Sequence, residues 1–378
     1  MTRRPLVPAD ISDSWWPHAG ALAQAAERAA GPLARGSFRF GDVVADVDGT
    51  YSPLLEELHD AYGDCAVADS DPAARIGCSA RVVPHRPSLL ALRFQVPPGL
   101  PHLAELALSV IRHRTDLQHF SIGDLGVPGW RWIENTSDHT APLLAASDNT
   151  ALLDLRVAPP EFIVNLIVGV AQVAQPSILF VHAGGVSIDG RGALLVGASG
   201  SGKSTTTVSL ACRGHPMFGD ETVGLRIEPP EIVALRRTVK LRPGPRPAAL
   251  AARLRSVTHG TRVDAHGIEC AWIRPAALLP DSKPLQSAAL GDVFFLRTFG
   301  ARAFAERFVP SLEHLDQLRA LTMTLSAVVS WPSSAAGRLV RFSRLVDLFS
   351  RCRCYHLDLG APDETAALIE NTVRNHAT

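Results

Sequence analysis

Read for the spacing of its apolar positions, the chain resolves into a series of helices and strands. The alanine-rich stretch from Ala21 to Ala30 predicts a helix. Phe38 to Val47 alternates apolar and polar residues, which predicts a strand, and Asp48-Gly49 predicts the turn that ends it. Leu54, Leu55 and Leu58 share one face of a helix over Tyr51 to Tyr62. Arg81 to Val96 reads as two strands around Pro84 and Pro87. Leu103, Leu106 and Ile111 mark the apolar side of a helix over Leu100 to His113, and Pro176 closes an apolar helix over Phe162 to Gln175. Ile178 to Ile188 is an apolar strand carrying one histidine, His182. The hairpin signal Asp189-Gly190-Arg191-Gly192 follows, and Ala193 to Val196 returns as the next strand. A helix over Ser204 to Cys212 is capped by Gly214, and the short segment His215 to Gly219 leads into Asp220-Glu221. Cys354 to Leu359 reads as a strand and Pro362 to Asn375 as a helix.

A chain of 378 residues exceeds one ordinary core, so two domains are expected. The first half mixes α and β signals without a chemical motif. We therefore place an α+β N-terminal domain over residues 1–165, with a role in substrate recognition or docking, and an α/β domain over residues 166–378. Basic and acidic residues balance at 37 each, so no global field recruits nucleic acid or an anionic membrane. Phe162 to Ala174 is too short to cross a membrane and is interrupted by Asn165 and Gln172. The N-terminus lacks the apolar core of a signal peptide, and a cytoplasmic location is expected. The six cysteines are scattered; Cys352 and Cys354 alone are close, and that spacing by itself is not a metal site. Asp264, His266 and Glu269 fit no metal template and read as surface.

The chemistry begins at Gly197, Ala198, Ser199, Gly200, Ser201, Gly202, Lys203, Ser204 and Thr205. These residues satisfy the phosphate-binding P-loop pattern G-x-x-x-x-G-K-[ST] between a predicted strand and a predicted helix. Such a loop aims backbone N–H groups and the positive end of a helix at a polyphosphate. Lys203 adds a point charge, and Ser204 offers a hydroxyl to Mg²⁺. The chain has three lysines, Lys203, Lys240 and Lys283, among 37 basic residues, so a chance match is improbable. The plain alternative is a glycine-rich turn that only caps a helix.

Two flanking segments converge on this loop. If Asp189 pairs with Gly192, antiparallel register carries His182 to a position opposite Ser199. A strand–helix–strand unit makes the strand after the helix parallel to the one before it, and its carboxyl end lies beside the phosphate crevice. Asp220 and Glu221 are thereby placed where carboxylates act on Mg²⁺ or on an incoming hydroxyl. The alternatives are a core histidine and a pair of solvated strand-end acids. Arg236, Arg237, Lys240, Arg242 and Arg246 form a basic cluster that either contacts acceptor or phosphate, with Arg237, Lys240 and Arg242 the candidates, or is a solvated loop. No aromatic residues interleave with it, which disfavours nucleic acid. His215 reads as structural.

The sequence from Val181 through His182 to Val186, the P-loop, Arg213-Gly214-His215 and Asp220-Glu221 resembles the core of the HPr kinase/phosphorylase family. Val239 to Gly244 is a looser echo of that family's arginine-proline-glycine loop near the acceptor. The close resemblance covers residues 178–226. It implies a P-loop kinase fold of HPr-kinase type for the C-terminal domain and phosphorylation of a serine hydroxyl with ATP and Mg²⁺. It implies that Asp220 acts on the acceptor hydroxyl with His182 beside it, and that Ser204 and Glu221 hold the metal. It also implies a homo-oligomer. Glu221 stands where the family has a second aspartate, and the family's E-I-R-G-L-G segment is missing. Reverse phosphorylase chemistry and HPr as substrate are therefore left open by the resemblance. The chain is more similar to divergent HPr-kinase-like proteins of modified-peptide pathways, such as lasso-peptide tailoring kinases, which implies a precursor peptide as partner.

The leading expectation is thus an ATP-dependent kinase acting on a serine-type hydroxyl of a peptide or protein. A kinase of a small hydroxylated metabolite and a nucleotide-binding regulator with little turnover remain as alternatives. No LSGGQ-type or N-K-x-D motif supports a transporter ATPase or a GTPase.

Overall fold

The computed structural model describes residues 15–29, 31, 33–68, 71, 73–96, 101–114, 120–135, 144–263, 267–281, 284–297, 311–325, 327–329 and 335–375. It is a mixed α/β protein with three sheets. The chain clusters into two compact units. One is built from the chain up to residue 174 without 39–41 and 60–66, and the other from those two segments and the chain from 175 onward.

The first unit carries α1 (Ala19–Glu27), β1 (Ala34–Phe40), β2 (Val43–Gly49), α2 (Ser52–Tyr62), β3 (Ala74–Val83), β4 (Arg86–Gln95) and α3 (Leu103–Arg114). It continues with β5 (Phe120–Asp124), β6 (Arg131–Asn135), β7 (Leu144–Ala146), β8 (Thr150–Asp154) and α4 (Pro160–Val173). Its sheet runs β1-β2-β3-β4-β8-β7-β6-β5. The helix over Ser52–Tyr62 buries Leu54, Leu55 and Leu58, as their spacing predicts. The strand expected from Phe38 to Val47 is instead two strands, turning at Gly41, whose φ is +68°. Asp48 and Gly49 do not turn; they continue β2, parallel to Ser79 and Ala80 of β3. A Cβ on Gly49 would lie 2.4 Å from the Ala80 carbonyl oxygen, so this glycine serves close strand approach.

The second unit opens with β9 (Ile178–Val181), β10 (Ala183–Ile188), β11 (Arg191–Val196), α5 (Lys203–Ala211), β12 (Met217–Gly219), β13 (Val223–Arg226) and β14 (Glu231–Val233). There follow β15 (Val239–Leu241), α6 (Pro245–Leu254), β16 (Thr258–Val263), β17 (Glu269–Ile273), α7 (Pro275–Leu278) and β18 (Ser287–Leu296). The unit ends with β19 (Ser311–His314), α8 (Gln317–Leu325), α9 (Ala335–Ser350), β20 (Arg353–Asp358) and α10 (Pro362–Asn375). The main sheet runs β12-β10-β11-β18-β14-β13-β9, with β20 also on β18 and β19 on β20. Strands β15, β17 and β16 form a small third sheet.

The expected single strand from Ile178 to Ile188 is broken at His182. β9 pairs with β13, whereas β10 lies between β11 and β12. The hairpin register is Ile188 with Arg191 and Ala183 with Val196, so the two-residue turn sits one residue earlier than expected. Asp189 and Gly190 both have positive φ, +50° and +81°, and make a two-residue turn of the kind that matches strand twist. Extending this register brings His182 level with Gly197 rather than Ser199.

β11, β18 and β20 are parallel. β12 is antiparallel to β10 and therefore runs in the same direction as β11. Val196, Leu296, Asp358 and Gly219 thus end at one edge of the sheet, where open α/β sheets bind ligands. The sheet is covered on both faces, so β11 reads as an unbroken apolar run. Leu194 and Val196 join the core on one side with Phe218 and Phe295. Ala193 and Leu195 join the other with Phe294, Leu357 and residues of α5 and α10. Gly214 ends α5 at φ +98°. Its N–H reaches the Ala211 carbonyl at 2.9 Å and the His215 N–H reaches that of Leu210 at 3.3 Å, the paired bonds of a Schellman cap.

Candidate active site

Gly197 to Gly202 links β11 to α5, and its glycines are each required by geometry. Gly200 and Gly202 have φ of +76° and +93°. A Cβ on Gly197 would lie 2.5 Å from Ser201 Oγ. One on Gly202 would lie 2.7 Å from both Arg246 Nη1 and Leu359 Cδ1. The Thr206 N–H donates to the Gly202 carbonyl at 3.0 Å, opening the helical ladder. The N–H groups of Lys203, Ser204 and Thr205 in the first turn of α5 have no helical carbonyl to bond and present a positive helix end.

Lys203 is buried and folds back over this loop. Its Nζ donates to the carbonyls of Gly197 at 2.6 Å and Ala198 at 2.9 Å. Burial lowers its pKa, and the charges of Asp220 and Glu221 oppose that shift. The acidic pair is therefore within electrostatic range of the lysine.

Asp220 follows the end of β12 and is 2% exposed. Burial pushes its carboxyl up to about 6, Glu221 adds to the rise, and a hydrogen bond from Ser204 and the charges of Lys203 and Arg237 pull it back. Its Oδ1 is buried without a hydrogen-bond partner among the described residues. Gly219 before it admits no side chain, because a Cβ would lie 2.6 Å from the Thr222 carbonyl oxygen and 2.7 Å from that of Leu235.

Glu221 is tied on two sides. Its carboxylate pairs with Arg237 Nη1, and its backbone carbonyl accepts from His182 Nδ1 at 2.7 Å. That bond fixes the His182 tautomer, making Nε2 the acceptor nitrogen of the neutral ring. His182 also donates its own N–H to the Ala327 carbonyl at 2.6 Å. The structure therefore joins His182 to the backbone of Glu221. The charges that act on Asp220 come from Glu221, Lys203 and Arg237.

The residues fit a Mg²⁺ ion of the phosphate-bridged kind. Ser204 Oγ and the Glu221 carboxylate are hard oxygen donors beside the loop. Mg²⁺ characteristically takes one or two protein oxygens and completes its shell from phosphates and water. Glu221, expected as a ligand, also pairs with Arg237. Among the described residues no group of three or more His, Cys, Asp or Glu forms a closed metal cage.

The basic cluster disperses on folding. Arg237 pairs with Glu221, Lys240 Nζ lies 5.1 Å from the Trp272 ring centroid, and Arg242 is half-buried just beyond β15. Arg246, not among the three contact candidates, is the member at the loop: its Nη2 is 3.5 Å from Thr206 Oγ1. Nothing in the proline- and alanine-rich run around it signals that position. His215 is structural, donating with Arg213 to the buried Glu370 of α10. Of the loose acidic and histidine set, Asp264 and His266 lie outside the described residues, and Glu269 accepts from Thr261.

No family model matches the chain. A 75-residue stretch, 20% of the chain, is 39% identical to the HPr kinase/phosphorylase of Caldanaerobacter subterraneus subsp. tengcongensis. The chain spans 24% of the length of that curated relative. The Hpr(Ser) kinase/phosphatase from Coxiella burnetii superposes on 52% of this chain and 95% of its own, at 14% identity and a TM-score of 0.26. Among the described residues no helix is long and apolar enough to cross a membrane.

Proposed function

We propose that this chain is an ATP- and Mg²⁺-dependent kinase that phosphorylates a serine-type hydroxyl of a peptide or protein. The observation that carries the reading is Asp220: a buried carboxylate with an orphaned oxygen, bonded by Ser204, at the strand end beside the glycine-rich loop. A switch or a structural cap gains nothing from such a group, because an unsatisfied buried acid is costly. A phosphotransferase needs one to receive the acceptor proton.

The loop N–H groups and Lys203 would hold the β- and γ-phosphates. Mg²⁺, when bound, would supply neutralisation of charge on the phosphate oxygens, and Ser204 and Glu221 are the residues that would hold it. Asp220, with its pKa at about 6, is mainly ionised at neutral pH yet more basic than an ordinary carboxylate. It orients the acceptor hydroxyl and takes its proton as the oxygen–phosphorus bond forms and the β–γ bridging bond breaks. ADP leaves. His182 and Arg237 act as positioning residues, since both fasten Glu221 beside the site. The 39% identity to a kinase/phosphorylase supports the reaction class. A cytoplasmic site of action, a precursor-peptide acceptor and self-association extend the same proposal.

The test is transfer from radiolabelled ATP to serine-containing peptides, with free serine as the competing acceptor. Asp220→Asn is expected to abolish transfer while ATP binding persists. Undiminished transfer in that variant would remove Asp220 from the mechanism.

A further inference from the structure

The Arg246 side chain rises from the first turn of α6 against the N-terminal turn of α5. Its Nη2 lies 3.5 Å from Thr206 Oγ1, a long and weak hydrogen bond. Its Nε and Nη1 are buried with no hydrogen-bond partner among the described residues. Burial is what pushes its pKa down, to about 10. A guanidinium carries five N–H donors, and leaving two donor nitrogens buried and unbonded is costly. Gly202 is shaped around it, since any Cβ there would collide with Arg246 Nη1.

The two cations of the loop therefore stand at different stations. Lys203 Nζ is held at the beginning of the loop, on the carbonyls of Gly197 and Ala198. Arg246 stands at its end, over Gly202 and Thr206, with Leu359 as an apolar neighbour. A single phosphate satisfies one station; a chain of phosphates spans both.

We propose that Arg246 is a ligand-binding arm that donates to the phosphate nearest the nucleoside, so that the loop takes a nucleoside di- or triphosphate in preference to inorganic phosphate. The inference rests on the loop holding a nucleotide, as proposed above, and not on phosphoryl transfer. An unbonded guanidinium nitrogen, Nη1 at Gly202, gains a charge-assisted hydrogen bond, and the ligand's negative charge offsets the cost of burying the cation. Leu359 offers apolar contact on the nucleoside side.

The full chain is titrated with inorganic phosphate, pyrophosphate, ADP and ATP at fixed salt by calorimetry. Arg246→Gln is expected to weaken ADP and ATP by roughly 10- to 100-fold and phosphate by less than about 2-fold, and Arg246→Lys to recover part of the loss. The unmodified chain gives a second readout that does not depend on a variant folding. Arginine labelling with phenylglyoxal, read by mass spectrometry, should be suppressed at Arg246 by ADP and not by phosphate. Equal labelling with and without ADP overturns the inference, as does ATP binding by Arg246→Gln within about 2-fold of the parent. If Lys203→Met loses ATP while Arg246→Gln keeps it, the loop reading stands and Arg246 falls. If ATP binds through Arg246 and no hydroxyl is ever phosphorylated, the kinase reading falls and Arg246 stands.

Discussion

Replacing Asp220 with Asn should stabilise the protein, and the gain should depend on pH in a way set by one carboxyl. The native carboxyl has a pKa of about 6 against 3.8 for an ordinary aspartate. Because the folded pKa is raised, protonation favours the fold. The group contributes fully below pH 3.8, and that contribution is lost as pH rises through 6. A rise from 3.8 to about 6 corresponds to a penalty of about 3 kcal/mol once the group is charged in both states. The same linkage makes the penalty small near pH 3.8 and about half complete at pH 5. Asn is neutral throughout and keeps an oxygen that can accept from Ser204. Urea unfolding of parent and variant should therefore show a gap that widens by about 1 kcal/mol between pH 5 and pH 8 and then stops growing. A gap that is constant with pH, or a variant less stable than its parent at pH 8, would refute the assignment of a strained, buried carboxylate.

Three further outcomes test the scaffold. Glu370→Ala should cost about 3 kcal/mol at pH 7, since it leaves Arg213 and His215 without their partner. Arg213 and His215 hold the Glu370 pKa down at about 2 against 4.5, so this cost, followed by denaturant titration, should shrink as pH falls from 4.5 towards 2. Gly214→Ala should cost about 1 kcal/mol in the same assay, because φ of +98° is unfavourable for a side chain. Gly219→Ala should cost about 2 kcal/mol and also reduce phosphoryl transfer, because the backbone must shift to admit a Cβ and Asp220 moves with it; unchanged melting and unchanged transfer together would contradict the close approach.

Local signals were legible wherever a segment's own residues decide its shape. The spacing of Leu54, Leu55 and Leu58 gave a helix, and the span Pro362–Asn375 appears with the same limits in the structure. Gly214 is the helix cap its position implies. Long-range pairing was less legible. Both halves of the run from Ile178 to Ile188 are apolar, so nothing local reveals that β9 and β10 take different neighbours. The turn glycines Gly41 and Gly49 look alike in sequence; one adopts positive φ, and the other lets Ala80 approach. At the candidate site, the P-loop pattern located Lys203 and Ser204, and the strand–helix–strand argument brought Asp220 and Glu221 to the same edge. The bond from His182 to the Glu221 carbonyl and the approach of Arg246 to Gly202 depend on tertiary packing, which the order of residues does not display.

The fold-back of Lys203 onto its own loop bears on the entropy of association. A lysine waving in solvent gives up as much as about 2 kcal/mol of rotameric freedom when a ligand fixes it. Here the ammonium is already held by the Gly197 and Ala198 carbonyls, so that freedom is lost when the chain folds, before any ligand arrives. Binding then becomes an exchange of acceptors around a side chain already in place. Its thermodynamic profile should be set by solvent release and electrostatics, with little contribution from ordering the lysine.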